Sequence, residues 1–166
     1  MPRISNCRYT KFGPYYPCNV TTSGCSCAGN NVVNPVINEE YVFMVLTETT
    51  TVASGDIIPV ALTNFAGNAI TSTEAGIVNM IPGTYQATFN VTSEIGAGGE
   101  NSFALSLNDT VISVSSTSEE GSVGSVSSVS NSIIFSVTEN STLSLINNGS
   151  DTVNVQRANL TVRKIN

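Results

Sequence analysis

From Glu40 onward, apolar side chains recur at every second position, the period of a half-buried strand. The signal is cleanest over 83–91, where Tyr85, Ala87, Phe89 and Val91 fall on one face and Gln86, Thr88 and Asn90 on the other. Phe103, Leu105 and Leu107 repeat it, then Ile133, Phe135 and Val137, then Leu143 and Leu145, and finally Val153, Val155, Leu160 and Val162. Less regular segments predict further strands: 41–51, apolar and then Thr-rich; 57–62, where Pro59 demands an edge or a bulge; and the short pieces 69–71 and 76–81. Asn108-Asp109, which leads into 111–114, Glu139-Asn140 and Asn147-Asn148-Gly149 supply turn chemistry between them. No segment carries a convincing helical period. Strands spaced about 8–12 residues apart with turns between them predict an all-β sandwich or barrel.

Two stretches break the pattern. Residues 1–38 hold Pro2, Gly13-Pro14, Pro17, Gly24, Gly29-Asn30 and Pro35, too closely spaced for a helix or a long strand. They also hold Tyr9, Phe12, Tyr15 and Tyr16, which gain nothing by facing water and are expected to dock on the same chain or a neighbour. This divides the chain into an irregular N-terminal arm, 1–38, and a β body, 39–166. Within the body, 114–132 is of low complexity, rich in Ser, Val and Gly, and reads as a strand pair or a long loop with weakly specified register, with a recognition surface as the alternative.

Composition sharpens this picture. The 166 residues suffice for one sizeable domain. Ser, Thr and Asn number 22, 19 and 19, and Val another 19, a mixture suited to strands joined by tight turns. Histidine and tryptophan are absent, which removes His general bases, triads and His-ligated metals. The net charge of −6 with a pI near 4.4 argues against a nucleic-acid partner. The charge is uneven. Arg3, Arg8 and Lys11 give residues 1–30 a charge of +3, whereas twelve acids against Arg157, Arg163 and Lys164 give the remainder −9. The longest apolar run, 41–46, is far short of the ~20 residues that span a bilayer, so no membrane partner is expected. Residues 1–11 contain no apolar leader core, and the expectation is a chain that acts in the cytosol or leaves it without a cleaved signal peptide.

Candidate chemistry is sparse. Gly96-Ala97-Gly98-Gly99 is followed by a strand rather than a helix, so it reads as a flexible hairpin connection and not as a phosphate cradle. Glu39-Glu40 and Glu119-Glu120 are paired only by adjacency; neighbours on a strand point to opposite faces, and both pairs read as solvated acids. Six Asn-x-Ser/Thr sequons, at Asn19, Asn90, Asn108, Asn140, Asn148 and Asn159, arise readily in so Asn-, Ser- and Thr-rich a chain. The cysteines are the informative residues. Cys7, Cys18, Cys25 and Cys27 all lie in the arm, spaced unlike a zinc site and without histidine. Cys25 and Cys27 are too close to bridge each other easily, and the body offers no cysteine. Cross-links between subunits are the preferred reading; pairing within the arm or free thiols are the alternatives. No catalytic residue, cofactor or metal is expected.

Four segments of the body carry a resemblance: Gly83-Thr84-Tyr85 leading into Phe89-Asn90-Val91-Thr92; Phe103-Ala104-Leu105-Ser106-Leu107-Asn108; Leu143-Ser144-Leu145-Ile146-Asn147; and the closing Ala158-Asn159-Leu160-Thr161-Val162-Arg163-Lys164-Ile165-Asn166. In this order and spacing, residues 51–166 resemble the C-terminal globular domain of the collagen-like exosporium proteins of spore-forming bacteria, within the wider tumour-necrosis-factor/complement-like superfamily. The resemblance implies an antiparallel β-sandwich jelly roll of roughly ten strands, a homotrimer about a three-fold axis, and a place on the outer surface of a spore. It brings no catalytic residues.

The chain departs from that family ahead of the domain, where the Gly-x-y period of a collagen stalk is missing and the cysteine-bearing arm stands instead. The expected function is therefore a self-assembling structural subunit of a spore-surface fibre or appendage. Trimers would be joined head to tail by the arm, with the four cysteines locking the contact and other spore-coat proteins as further partners. The alternative is a trimeric binding or adhesion head that recognises a receptor or glycan.

Overall fold

The computed structural model describes residues 39–165. Twelve strands follow one another: β1 (Tyr41–Val45), β2 (Thr50–Val52), β3 (Ala61–Ala66), β4 (Ile70–Glu74), β5 (Ile77–Met80), β6 (Gly83–Glu94), β7 (Glu100–Leu107), β8 (Thr110–Val111), β9 (Thr117–Glu120), β10 (Val126–Val137), β11 (Ser141–Asn147) and β12 (Val153–Lys164). The only helical element among the described residues is a single 3-10 turn at Ser113–Ser115.

The strands form two six-stranded antiparallel sheets. In the first the order is β10-β6-β12-β1-β3, with β2 also on β12; in the second it is β4-β5-β11-β7-β8, with β9 also on β7. The chain changes sheet at each step from β5 to β6 to β7, and again from β9 through β10 and β11 to β12. The alternation that the sequence predicted decides the core. Tyr85, Phe89, Phe103, Leu105, Leu143, Leu145 and Leu160 all point between the sheets and are fully buried. Burying each such side chain contributes roughly 1.5–3 kcal/mol. Residues left outside the apolar set become the two outer faces.

Several expectations are corrected. Segment 41–51 is two strands, β1 and β2, separated by a break. Segment 57–62 is not a strand: Ile57 makes a lone bridge to Ile146 of the second sheet, Ile58 and Val60 are buried, and β3 of the first sheet begins only at Ala61. These residues are apolar because they cross between the layers, and a crossing segment buries side chains without a ladder. Gly96–Gly99 is not a hairpin connection, since it joins β6 and β7 in different sheets. Nor is it free. The Gly96 amide donates to Asn101 Oδ1 at 3.0 Å, and the Gly98 amide donates to the Asp151 carboxylate. Glu40 is not a solvated acid: its Oε2 accepts the Ala69 amide at 2.7 Å. The low-complexity stretch resolves into the 3-10 turn, β9 and the first half of β10. Its strands lie in different sheets and do not pair with each other.

Candidate functional site

The cysteines Cys7, Cys18, Cys25 and Cys27 and the aromatics Tyr9, Phe12, Tyr15 and Tyr16 lie outside the described residues. Candidate surfaces on the body are therefore its two outer faces. On the first sheet, strand register stacks the outward residues of β1, β12, β6 and β10 into three rows of four: Tyr41-Arg163-Gln86-Ile134, Phe43-Thr161-Thr88-Ser132 and Val45-Asn159-Asn90-Ser130. The rows contain no carboxylate, in a chain with twelve, and one cation, Arg163. Tyr41, Phe43 and Val45 are half-buried, and Ile134 is 66% exposed on edge strand β10. On the opposite edge, β3 leaves Phe65 60% exposed.

The polar part of this face is largely self-paired. Thr84 and Ser136 meet at 3.0 Å, Thr88 and Ser132 at 2.8 Å, and Thr92 and Ser128 at 2.7 Å across the β6–β10 ladder. A hydroxyl already bonded to its neighbour loses less on leaving water than an unpaired one. The face combines exposed apolar groups, satisfied hydroxyls and almost no charge, which suits it to burial.

The outer face of the second sheet carries a groove of about 550 Å³, floored by β7 and β11 and overhung by the 54–57 and 147–149 loops. Ser106 and Ser144 sit opposite each other on its floor, and Asp56 and Asp109 stand on its rim. Nothing in the periodicity distinguished these serines, because strand alternation marks them only as outward-facing. Asp109 is held by the β7–β8 turn, in which Asn108 and Asp109 take left-handed φ values of 48° and 61°.

The remaining titratable groups do not converge. Among the described residues no three His, Cys, Asp or Glu side chains approach closely enough to hold a metal ion. No helix among them is long and apolar enough to cross a membrane. Burial, and secondarily the negative charge of Glu40, push the Tyr85 phenol above its usual value.

No family model and no curated protein matches the sequence. Solved structures do match. The sandwich is a jelly roll of the tumour-necrosis-factor and complement type. It is similar to the globular domain of a zebrafish complement 1qA protein, with a TM-score of 0.60 and 15% identity over 76% of this chain and 98% of that one. An Eiger TNF from S. frugiperda gives a TM-score of 0.62 and 11% identity over 78% and 94%. Murine APRIL gives 0.59 and 10% over 76% and 99%. At such identities the likeness is one of fold, and it agrees with the antiparallel sandwich expected from the sequence.

Proposed function

We propose that this chain is a non-catalytic, self-associating structural subunit of a bacterial spore surface. Its body forms a homotrimer, and residues 1–38 connect one trimer to the next in a fibre or appendage. The observation that carries the reading is the outer face of the first sheet. Copies of a chain with net charge −6 repel one another, yet this face keeps its three central rows free of carboxylates and places Tyr41, Phe43, Val45 and Ile134 among paired hydroxyls. Closed symmetric association removes such a face and the β3 and β10 edges from water. The exosporium-type segments of the sequence support the trimer and the location on the outer face of a spore, beside other coat proteins.

The onward connection rests on charge and on cysteine placement. An arm of +3 is complementary to a body of −9, and a contact made by an arm on the next trimer does not close on itself, so it grows a filament. Cys7, Cys18, Cys25 and Cys27 lock that contact, and Tyr9, Phe12, Tyr15 and Tyr16 seat it. Negative-stain microscopy of purified protein, with and without reductant, tests the reading. Fibres are expected under oxidising conditions. Discrete globular particles at high concentration under those conditions would count against it.

A further inference from the structure

We infer that the groove on the outer face of the second sheet seats a sugar, neutral or amino-bearing. Ser106 and Ser144 are only 6% and 8% exposed, and neither hydroxyl has a hydrogen-bond partner among the described residues. The other polar residues of the fully buried set are partnered, among them Ser115, whose Oγ accepts the Leu105 amide at 2.8 Å, and Asn101, whose Nδ2 donates to Ser93 Oγ at 2.7 Å. The two groove serines lie side by side in register, so they present a paired set of donors and acceptors to whatever occupies the groove. Both oxygens open onto the groove, since the one enclosed side-chain oxygen without a partner among the described residues is Ser127 Oγ on β10, and a ligand hydroxyl can take the place of the water that reaches them.

The rest of the lining selects the class. The carboxylates of Asp56 and Asp109 have no hydrogen-bond or ionic partner among the described residues and can accept hydroxyl or ammonium protons from above the floor. No Lys or Arg lines the groove, so an anion would meet two carboxylates and no counter-charge. Val111 and Ile57, 41% and 37% exposed, offer aliphatic surface beside the hydroxyl pair, as the C–H face of a pyranose ring requires. A purely apolar ligand would strand both serines. The volume lies within the ~300–1,000 Å³ typical of small-ligand sites. This inference does not depend on polymer growth, because the groove lies on the sheet opposite to the self-association face.

Saturation-transfer NMR on the full-length protein tests it and tolerates large assemblies. Chitotetraose and glucosamine are expected to receive saturation, and glucuronic acid is not. The double variant S106A/S144A, which keeps both strand backbones and adds no bulk, is expected to weaken chitotetraose binding about tenfold with an unchanged melting temperature. D109N, whose side chain tolerates the same left-handed φ, is expected to weaken glucosamine more than chitotetraose. Transfer to neither chitotetraose nor glucosamine at millimolar concentration overturns the inference, as does transfer undiminished in the serine variant. Displacement of nothing but a synthetic peptide of residues 1–38 from the groove also overturns it.

Discussion

The Tyr85 hydroxyl donates to the Ile81 carbonyl at 2.6 Å, from a side chain that is fully buried between the sheets. Its ring packs on Phe135 with centroids 6.1 Å apart. The phenol is therefore kept neutral, and burial first, then the Glu40 carboxylate, raise its pKa. A raised folded-state value on an acid that is neutral in the native protein stabilises the fold at every pH below the unfolded value of about 10. That contribution is lost as pH climbs from about 10 through the folded value. Urea unfolding as a function of pH should show stability declining above pH ~10. Tyr85→Phe should cost about 1 kcal/mol at neutral pH and flatten the alkaline decline, because the hydrogen bond and the titrating group go together.

Asn101 ties three backbone and side-chain groups at the point where the chain passes from one sheet to the other. Its Nδ2 donates to Ser93 Oγ at 2.7 Å and to the Glu94 carbonyl at 2.8 Å, and its Oδ1 accepts the Gly96 amide at 3.0 Å. Asn101→Ala leaves these groups unsatisfied in the interior and should destabilise the body by about 2–3 kcal/mol in chemical denaturation. Ser130→Ala, on the exposed face of β10, should stay within ~0.5 kcal/mol.

What the sequence revealed follows from how burial is encoded. The period of two placed Tyr85, Ala87, Phe89 and Val91 on the correct face of β6, since a strand buried on one side must alternate. The same logic misread 57–62: Ile58 and Val60 are buried as deeply as any strand residue but lie in a crossing segment, and periodicity records burial, not ladder partners. It also missed Ser115 in the low-complexity stretch, whose Oγ accepts the Leu105 amide at 2.8 Å and donates to the Ile112 carbonyl at 2.7 Å. A serine that anchors a loop looks like every other serine until its partners are known. The groove serines Ser106 and Ser144 were illegible for a related reason, because their opposition is a matter of register between β7 and β11, far apart in sequence.

The outer face of the first sheet should tolerate a carboxylate in the monomer and refuse it in the assembly. Thr88→Glu places a charge at the centre of the middle row, where symmetric copies bring like charges together in a drying interface. Size-exclusion chromatography with light scattering should find folded monomers for this variant and trimers for the parent. Glu introduced at Thr142, which is exposed on β11 of the other sheet, should leave the trimer intact.

Deleting residues 1–38 should separate trimer formation from growth. The core begins with Val42 and Met44 of β1, so the deletion removes no residue of the buried set described between the sheets. The shortened chain should fold with the melting temperature of the parent trimer and yield discrete particles in negative stain. Fibres from the shortened chain would show that the connector lies elsewhere.

Replacing Cys7, Cys18, Cys25 and Cys27 together by serine addresses the lock rather than the contact. The arm keeps its charge and its aromatics, so assembly should proceed. What changes is the cost of pulling an arm out again. A cross-link between subunits removes the freedom of the detached arm, and disulfides add roughly 2–4 kcal/mol each. Parent fibres should therefore run as a ladder, or fail to enter a non-reducing gel, and survive denaturant concentrations that disperse the serine variant. Under reductant the two should behave alike. Equal resistance of parent and variant under oxidising conditions would leave the arm as a docking segment only, held by its aromatics and its charge.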